Sequence, residues 1–159
     1  MSYVDQNLMS GESIVYRTRL HWIIFLAPLV VLGFYIMIGV DRAVREPGVE
    51  SRNLDALGLV GLLSLLASIA MFFSSEFAVT NKRVILKEGF LRRRSLEILL
   101  TKVEAIGVEQ SLLGRYLDYG SLIVGGSGGT KEVFHPIWSP LAFRRKVQEQ
   151  ASAATDTSA

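Results

Sequence analysis

The sequence predicts an α+β membrane protein: a two-helix transmembrane hairpin joined to a small antiparallel β-barrel with a C-terminal helix. Two uncharged runs, Trp22 to Val40 and Ala56 to Ser75, are 19 and 20 residues long. Each matches a hydrocarbon core of about 30 Å at a rise of about 1.5 Å per residue. From Phe77 onward, short β-prone runs alternate with turn residues. Near the end Ser139 and Pro140 form a helix start, with an N-cap residue followed by Pro at the first position.

Composition narrows the chemistry. Half of the 159 residues are hydrophobic, although only 9% are aromatic, and mean hydropathy is +0.34. The excess lies in the two uncharged runs, as a membrane protein requires. The chain has no cysteine, which excludes disulfides, thiolate catalysis and cysteine-ligated metals. A net charge of +2 is too small to argue for nucleic acid as a partner. Residues 76 to 159 carry 12 Lys and Arg against 9 Asp and Glu, a net of +3.

Residues 1–20 form a polar N-terminal segment. Glu12 to Leu20 alternates, with Ile14, Tyr16, Thr18 and Leu20 on one side and Val15, Arg17 and Arg19 on the other. Period two suggests a half-buried strand; a disordered lead-in is the plain alternative. Residues 21–75 hold the two spans, about 22–40 and 56–75. The first is too long, and starts too far in, for a signal peptide. Pro28 is expected to kink it mildly, and His21 and Trp22 stand where interfacial residues belong. Gly58, Gly61, Ser64 and Ser68 form one small-residue stripe on the second span, so a neighbouring helix can approach closely. Gly33 and Gly39 are candidates to meet it. Small residues scattered without meaning would look the same.

Lys and Arg near the membrane ends set the orientation. Arg17 and Arg19 precede the first span, and Lys82, Arg83, Lys87, Arg92 and Arg93 follow the second. The polar loop Asp41 to Asp55 has Arg42, Arg45 and Arg52 set against four acids. Seven against three places both termini in the cytoplasm.

Beyond the second span the chain reads as strands. Phe77 to Thr80 and Val84 to Lys87 flank the turn Asn81-Lys82-Arg83. Arg94 to Leu100, Val103 to Glu109, Tyr119 to Val124 and Lys131 to His135 follow, with a helical turn or loop over Ser111 to Leu117. Phe143, Val147 and Ala151 then recur every four residues on a terminal helix. Residues 151–159 are small and polar and read as a flexible tail.

Several of these segments carry a family likeness: Phe77–Gly89 (FAVTNKRVILKEG), Ser95–Leu100 (SLEILL), Lys102–Ile106 (KVEAI), Gln110–Arg115 (QSLLGR) and Asp118–Val124 (DYGSLIV). In this order they resemble the bacterial pleckstrin-homology-like (PH-like) domains of small membrane proteins, over roughly residues 76–150. Two preceding membrane helices fit the same family. The resemblance implies a PH-like barrel under a helix, at the bacterial inner membrane, and brings no catalytic motif.

Arg92, Arg93 and Arg94 are the sharpest candidate site. Three guanidiniums at a hairpin tip beside a membrane suit anionic lipid headgroups, with Phe90 and Leu91 able to dip into the interface. A positive-inside anchor without a ligand is the plain alternative. Arg144, Arg145 and Lys146 form a second basic patch, read as a solvated helix face. The run Gly125–Gly129 lacks the following helix and Lys-Ser/Thr of a phosphate loop and reads as a hairpin turn. His21 and His135 have no acidic cluster around them, so no metal is expected. No serine sits in a nucleophile elbow. Glu97, Glu104 and Glu109 lie on different strands and read as solvated positions. The expectation is a non-enzymatic module without cofactor. Its partners would be membrane lipids and a protein or a second copy, but not nucleic acid. It would act as an interaction scaffold or, alternatively, recognise anionic headgroups through Arg92 to Arg94.

Overall fold

A computed structural model describes residues 3–45, 52–89, 94–126 and 131–156. The chain divides into two compact units. One comprises Met1–His21 with Ser74–Ala159, and the other Trp22–Phe73. In chain order the elements are α1 (Tyr3–Gln6), β1 (Ile14–Thr18), α2 (Leu26–Arg45) and α3 (Arg52–Ser74). Then come β2 (Glu76–Thr80), β3 (Arg83–Glu88), β4 (Arg94–Leu99), β5 (Val103–Glu109), α4 (Leu112–Tyr116), β6 (Tyr119–Gly126), β7 (Lys131–Trp138) and α5 (Pro140–Asp156).

The Trp22–Phe73 unit is a helical hairpin. Both helices run beyond the uncharged stretches: α2 continues to Arg45 and α3 begins at Arg52. Arg42 and Arg45 are good helix formers, and Arg45 bonds Asp41 one turn back at 2.7 Å, which offsets the poor helix propensity of Asp. Residues Trp22–Phe25 form a 3₁₀ turn before α2. Pro28 therefore falls in the first turn of α2, where its missing N–H would be unpaired in any case. Trp22–Arg45 and Leu54–Ser74 are long and apolar enough to cross a membrane. Leu29, Phe34, Ile36, Met37 and Val40 on α2, and Leu59, Val60 and Leu63 on α3, are exposed.

The other unit holds two antiparallel sheets, ordered β1-β2-β3-β4 and β5-β6-β7. Central strands β2 and β3 are apolar on both faces, so their sequence is a continuous run rather than an alternation. Ala78 and Ile85 pack against Val4 of α1, with Tyr3, Leu8 and Ile14 around them. Phe77 meets Phe134 of β7 edge-on at 6.1 Å. Phe143 and Val147 of α5 are fully buried, with Leu100, Leu122, Val124 and Ile137. Phe143 reaches the Tyr16 ring of β1 at 6.2 Å.

The strands do not close into a barrel, which corrects that expectation. On one side the sheets touch: Leu20 bridges Ile137, the Trp138 N–H donates to the Arg19 carbonyl at 3.0 Å, and the His21 N–H donates to the Pro136 carbonyl at 2.9 Å. On the other side β4 and β5 are not paired. A 3₁₀ turn over Leu100–Lys102 drives Leu100 into the core and redirects the chain, so β5 pairs only with β6. Helix α5 continues through Asp156, so residues 151–156, expected as tail, extend the helix. Ser139 has φ 45°, and its hydroxyl donates to the Asp118 carboxylate rather than capping α5.

Candidate functional site

The best-developed polar cluster sits at the β2–β3 turn, Thr80 to Arg83. It holds the N-terminal segment. The Arg83 guanidinium, almost wholly buried, forks onto Glu12 with Nε–Oε1 at 2.9 Å and Nη2–Oε2 at 3.0 Å. Its Nη1 donates to Glu97 at 2.6 Å, and Nη2 also donates to the Asn7 carbonyl. Glu12 further accepts from the Thr80 hydroxyl at 2.7 Å and from the Met9 N–H at 2.7 Å. Asn81 accepts from the Ser13 N–H at 3.0 Å and donates to the Gly11 carbonyl at 3.1 Å. Lys82 Nζ donates to the Ser10 carbonyl at 2.7 Å. Burial pushes the Glu12 carboxyl up, but hydrogen bonds from Arg83, Met9 and Thr80 outweigh it and leave it below its ordinary value. The same bond to Glu12 raises Arg83. The pair is desolvated, bidentate and fully hydrogen-bonded, the arrangement in which a buried ion pair is tolerated.

A second cluster lies where this unit's chain meets the apolar helices in sequence. His21, fully buried, packs against Trp138 at 4.1 Å and Tyr119 at 4.9 Å between ring centroids, with the rings tilted. Burial lowers its pKa, against a hydrogen bond to the Leu117 backbone and the charge of Asp118. Ser75, one residue past α3, accepts from the Gly89 N–H at 3.4 Å. Glu88, at the end of β3, is buried and pairs with the His135 ring on β7, and it accepts from the His135 N–H at 3.2 Å. The bond to Glu88 raises the His135 pKa above its ordinary value, against a smaller opposing effect of burial.

Of the expected headgroup contacts, Arg92 and Arg93 lie outside the described residues, as do Phe90 and Leu91. Arg94 opens β4. It pairs with Glu132 and lies over the Phe134 ring at 5.5 Å, so its charge is shared with the protein. On α3, a Cβ at Gly58 would stand 2.8 Å from the Tyr35 ring, and one at Gly61 2.8 Å from Leu32. Ser64 and Ser68 turn their hydroxyls back onto α3, at 2.9 Å from the Gly61 and Ser64 carbonyls. Gly39 has only an ordinary contact with Leu54, and Gly33 has nothing within 4 Å. The large side chains of α2, rather than its glycines, fill the stripe.

Arg145 and Lys146 pair with Glu149 at 2.9 and 2.8 Å along α5, a solvated helix face. Glu97 is bound into the Arg83 cluster. Glu109 lines an open cleft of about 590 Å³ with Gln110, Ser111, Tyr119 and Ser121. A smaller apolar groove of about 310 Å³ runs between β5 and α5, lined by Val103, Ala105, Ile106, Val147, Gln148 and Ala151. Among the described residues no group of three or more His, Asp or Glu converges as a metal site. Glu12 escaped the sequence reading because its partner lies 71 positions away; Thr80-Asn81-Lys82-Arg83, four polar residues between two apolar strands, was the available signal.

No curated protein and no solved structure matches the chain. The family described as bacterial PH domain matches residues 23–152. That span takes in both apolar helices, β2 to β7 and most of α5, and the chain belongs to the bacterial PH domain family.

Proposed function

We propose that the chain is a membrane-anchored, non-catalytic binding module. Two spanning helices hold the PH-like domain at the cytoplasmic face of the bacterial inner membrane, with both termini inside. There it acts as an interaction scaffold for a protein partner or a second copy. The observation that carries this reading is the open seam between β4 and β5. Edge strands offer unpaired backbone donors and acceptors, and the groove beside α5 offers apolar sockets. Together they suit an extended peptide segment added as a further strand. A photo-crosslinking residue in place of exposed Ala105, in the full chain in native membranes, tests it. A discrete, saturable adduct absent from the same probe at Ser152 is expected. No adduct above that control would remove the scaffold reading.

A second reading is favoured by a separate observation. Gly89, three residues before Arg92 in the sequence, bonds Ser75, the residue after α3. Arginines only three and four positions along the chain from a residue bonded to the end of an apolar helix suit anionic headgroups, each with up to about 1 kcal/mol near the surface. Native mass spectrometry of the full chain should then show less retained phosphatidylglycerol for Arg92→Gln with Arg93→Gln. Unchanged retention would leave only the scaffold.

A further inference from the structure

Helix α4 holds three large apolar side chains out in solvent. Leu112 is 84% exposed, Leu113 67% and Tyr116 88%, all on one five-residue helix. Large apolar side chains clustered in this way mark a contact surface. The helix is firmly built. Ser111 caps it, accepting from the Gly114 N–H at 3.0 Å. Gly114 is buried so closely that a Cβ would stand 2.6 Å from the Tyr119 carbonyl. Gln110 donates to that same carbonyl at 3.0 Å.

Its place in the fold indicates the occupant. Tyr119, whose carbonyl Gly114 abuts, packs its ring against His21 at 4.9 Å between centroids, and the first apolar helical segment begins at the next residue, Trp22. At about 1.5 Å per residue the five residues of α4 extend only about 8 Å from that point. The residue types also fit. Leu supplies apolar area, Tyr favours the interfacial layer, and Arg115 on the same turn complements anionic headgroups. Three side chains fall well short of the about 800 Å² per partner that a specific protein interface buries. A contact that only adds to an existing membrane anchor needs far less.

We propose that α4 is a membrane-surface wedge, with Leu112, Leu113 and Tyr116 in the interfacial layer of the bilayer and Arg115 at the headgroups. The proposal rests on the reading that α2 and α3 span the membrane, and it gives the domain a contact with lipid separate from Arg92, Arg93 and Arg94. The cysteine-free chain allows a direct test. Leu113→Cys, Tyr116→Cys, Ser152→Cys on α5 and Leu63→Cys on α3 are spin-labelled singly in the full chain. Each is reconstituted into phosphatidylcholine–phosphatidylglycerol vesicles. Collisions with oxygen, which concentrates in lipid, are compared with collisions with a water-soluble nickel chelate. The oxygen-to-nickel ratio at 113 and 116 should be several-fold higher than at 152 and should approach that at 63. A lipid-like ratio at 63 with water-like ratios at 113 and 116 overturns the wedge and leaves the spans standing. Labels at 113 and 116 sheltered from both reagents, with or without dipolar broadening between copies, overturn it in favour of a protein contact. A water-like ratio at 63 removes the spanning reading and the wedge with it.

Discussion

Replacing Arg83 by Met would strand Glu12. The Glu12 side chain is completely buried, and Arg83 supplies two of its hydrogen bonds and all of its nearby positive charge. Breaking a buried pair from one side costs about 3–5 kcal/mol. The fold limits the cost independently, because Glu12 can take up a proton instead. At pH 7, with an ordinary pKa of about 4.3 and about 1.36 kcal/mol per unit, that costs about 3.7 kcal/mol. The two routes agree on a loss of about 3–4 kcal/mol. The loss falls on the attachment of residues 7–14, which Arg83 and its neighbours hold. Hydrogen exchange of the β1 amides in the full chain, held in nanodiscs, reads this directly. Opening should rise by about 100-fold or more, since about 1.4 kcal/mol is tenfold. Adding Glu12→Gln, which removes the buried charge, should recover at least half. The pH dependence has a definite sign. In the Met variant burial raises the folded Glu12 pKa, so its cost is absent below the unfolded value and grows as pH rises above it. In the native chain Glu12 is depressed, and its contribution is lost as pH falls through the folded pKa. A change in opening below about tenfold at pH 7, or no recovery in the double variant, would refute the reasoning.

Four further outcomes are expected. Cysteines at Ser51 and Ser127 should differ in intact cells, with only the first reacting with an impermeant reagent; equal labelling would end the arrangement with both termini inside. His135 is raised by Glu88, so its contribution to stability is complete below about pH 6.5 and is lost as pH rises through the folded value. Thermal midpoints of the native chain and His135→Gln should therefore converge at alkaline pH, and a constant gap would count against the pair. Gly61→Val would force a side chain into Leu32 and Val31 and should cost the helical hairpin about 1–3 kcal/mol, seen as a lower midpoint in detergent; an unchanged midpoint would show that α2 yields freely. Arg94→Gln should reduce phosphatidylglycerol retention less than Arg92→Gln or Arg93→Gln, because Glu132 already holds Arg94; an equal or larger effect would mean that the ion pair does not hold it.

What was legible in the sequence followed from local pattern. Uncharged length marked both apolar helices, and the four-residue spacing of Phe143, Val147 and Ala151 marked α5. Alternating and continuous apolar runs marked the strands to within a few residues. The open seam was not legible, because it depends on where Leu100 packs, and nothing in the residues themselves separates a 3₁₀ turn there from a strand continued into β5. Helix α1 is not legible because four residues carry no periodicity, and Ala78 and Ile85, the buried partners of Val4, lie more than seventy positions away. The Arg83 cluster was hidden for the same reason: Glu12 and Glu97 look like ordinary surface carboxylates until the fold brings them to one guanidinium. The apolar tip of α4 reads in the sequence as a helical turn or loop, and exposure, which gives it meaning, is a property of the folded surface alone.

The pairing of β1 with β2 bears on how the chain reaches its native state. Thr18 stands opposite Phe77, yet roughly 60 residues lie between them, and closing such a loop in an unfolded chain carries an entropy cost that grows as (3/2)RT ln n. The intervening hairpin brings its own ends together first, with the Phe25 and Phe72 rings at 5.4 Å. Once it has formed, only roughly 10 flexible residues separate the two strands, and the closure cost falls by about 1.6 kcal/mol. A contact that is distant along the chain becomes kinetically local. Strand β1, synthesised before the helices, thus waits for them, and a hairpin that fails to assemble would leave β1 as an unpaired, aggregation-prone segment.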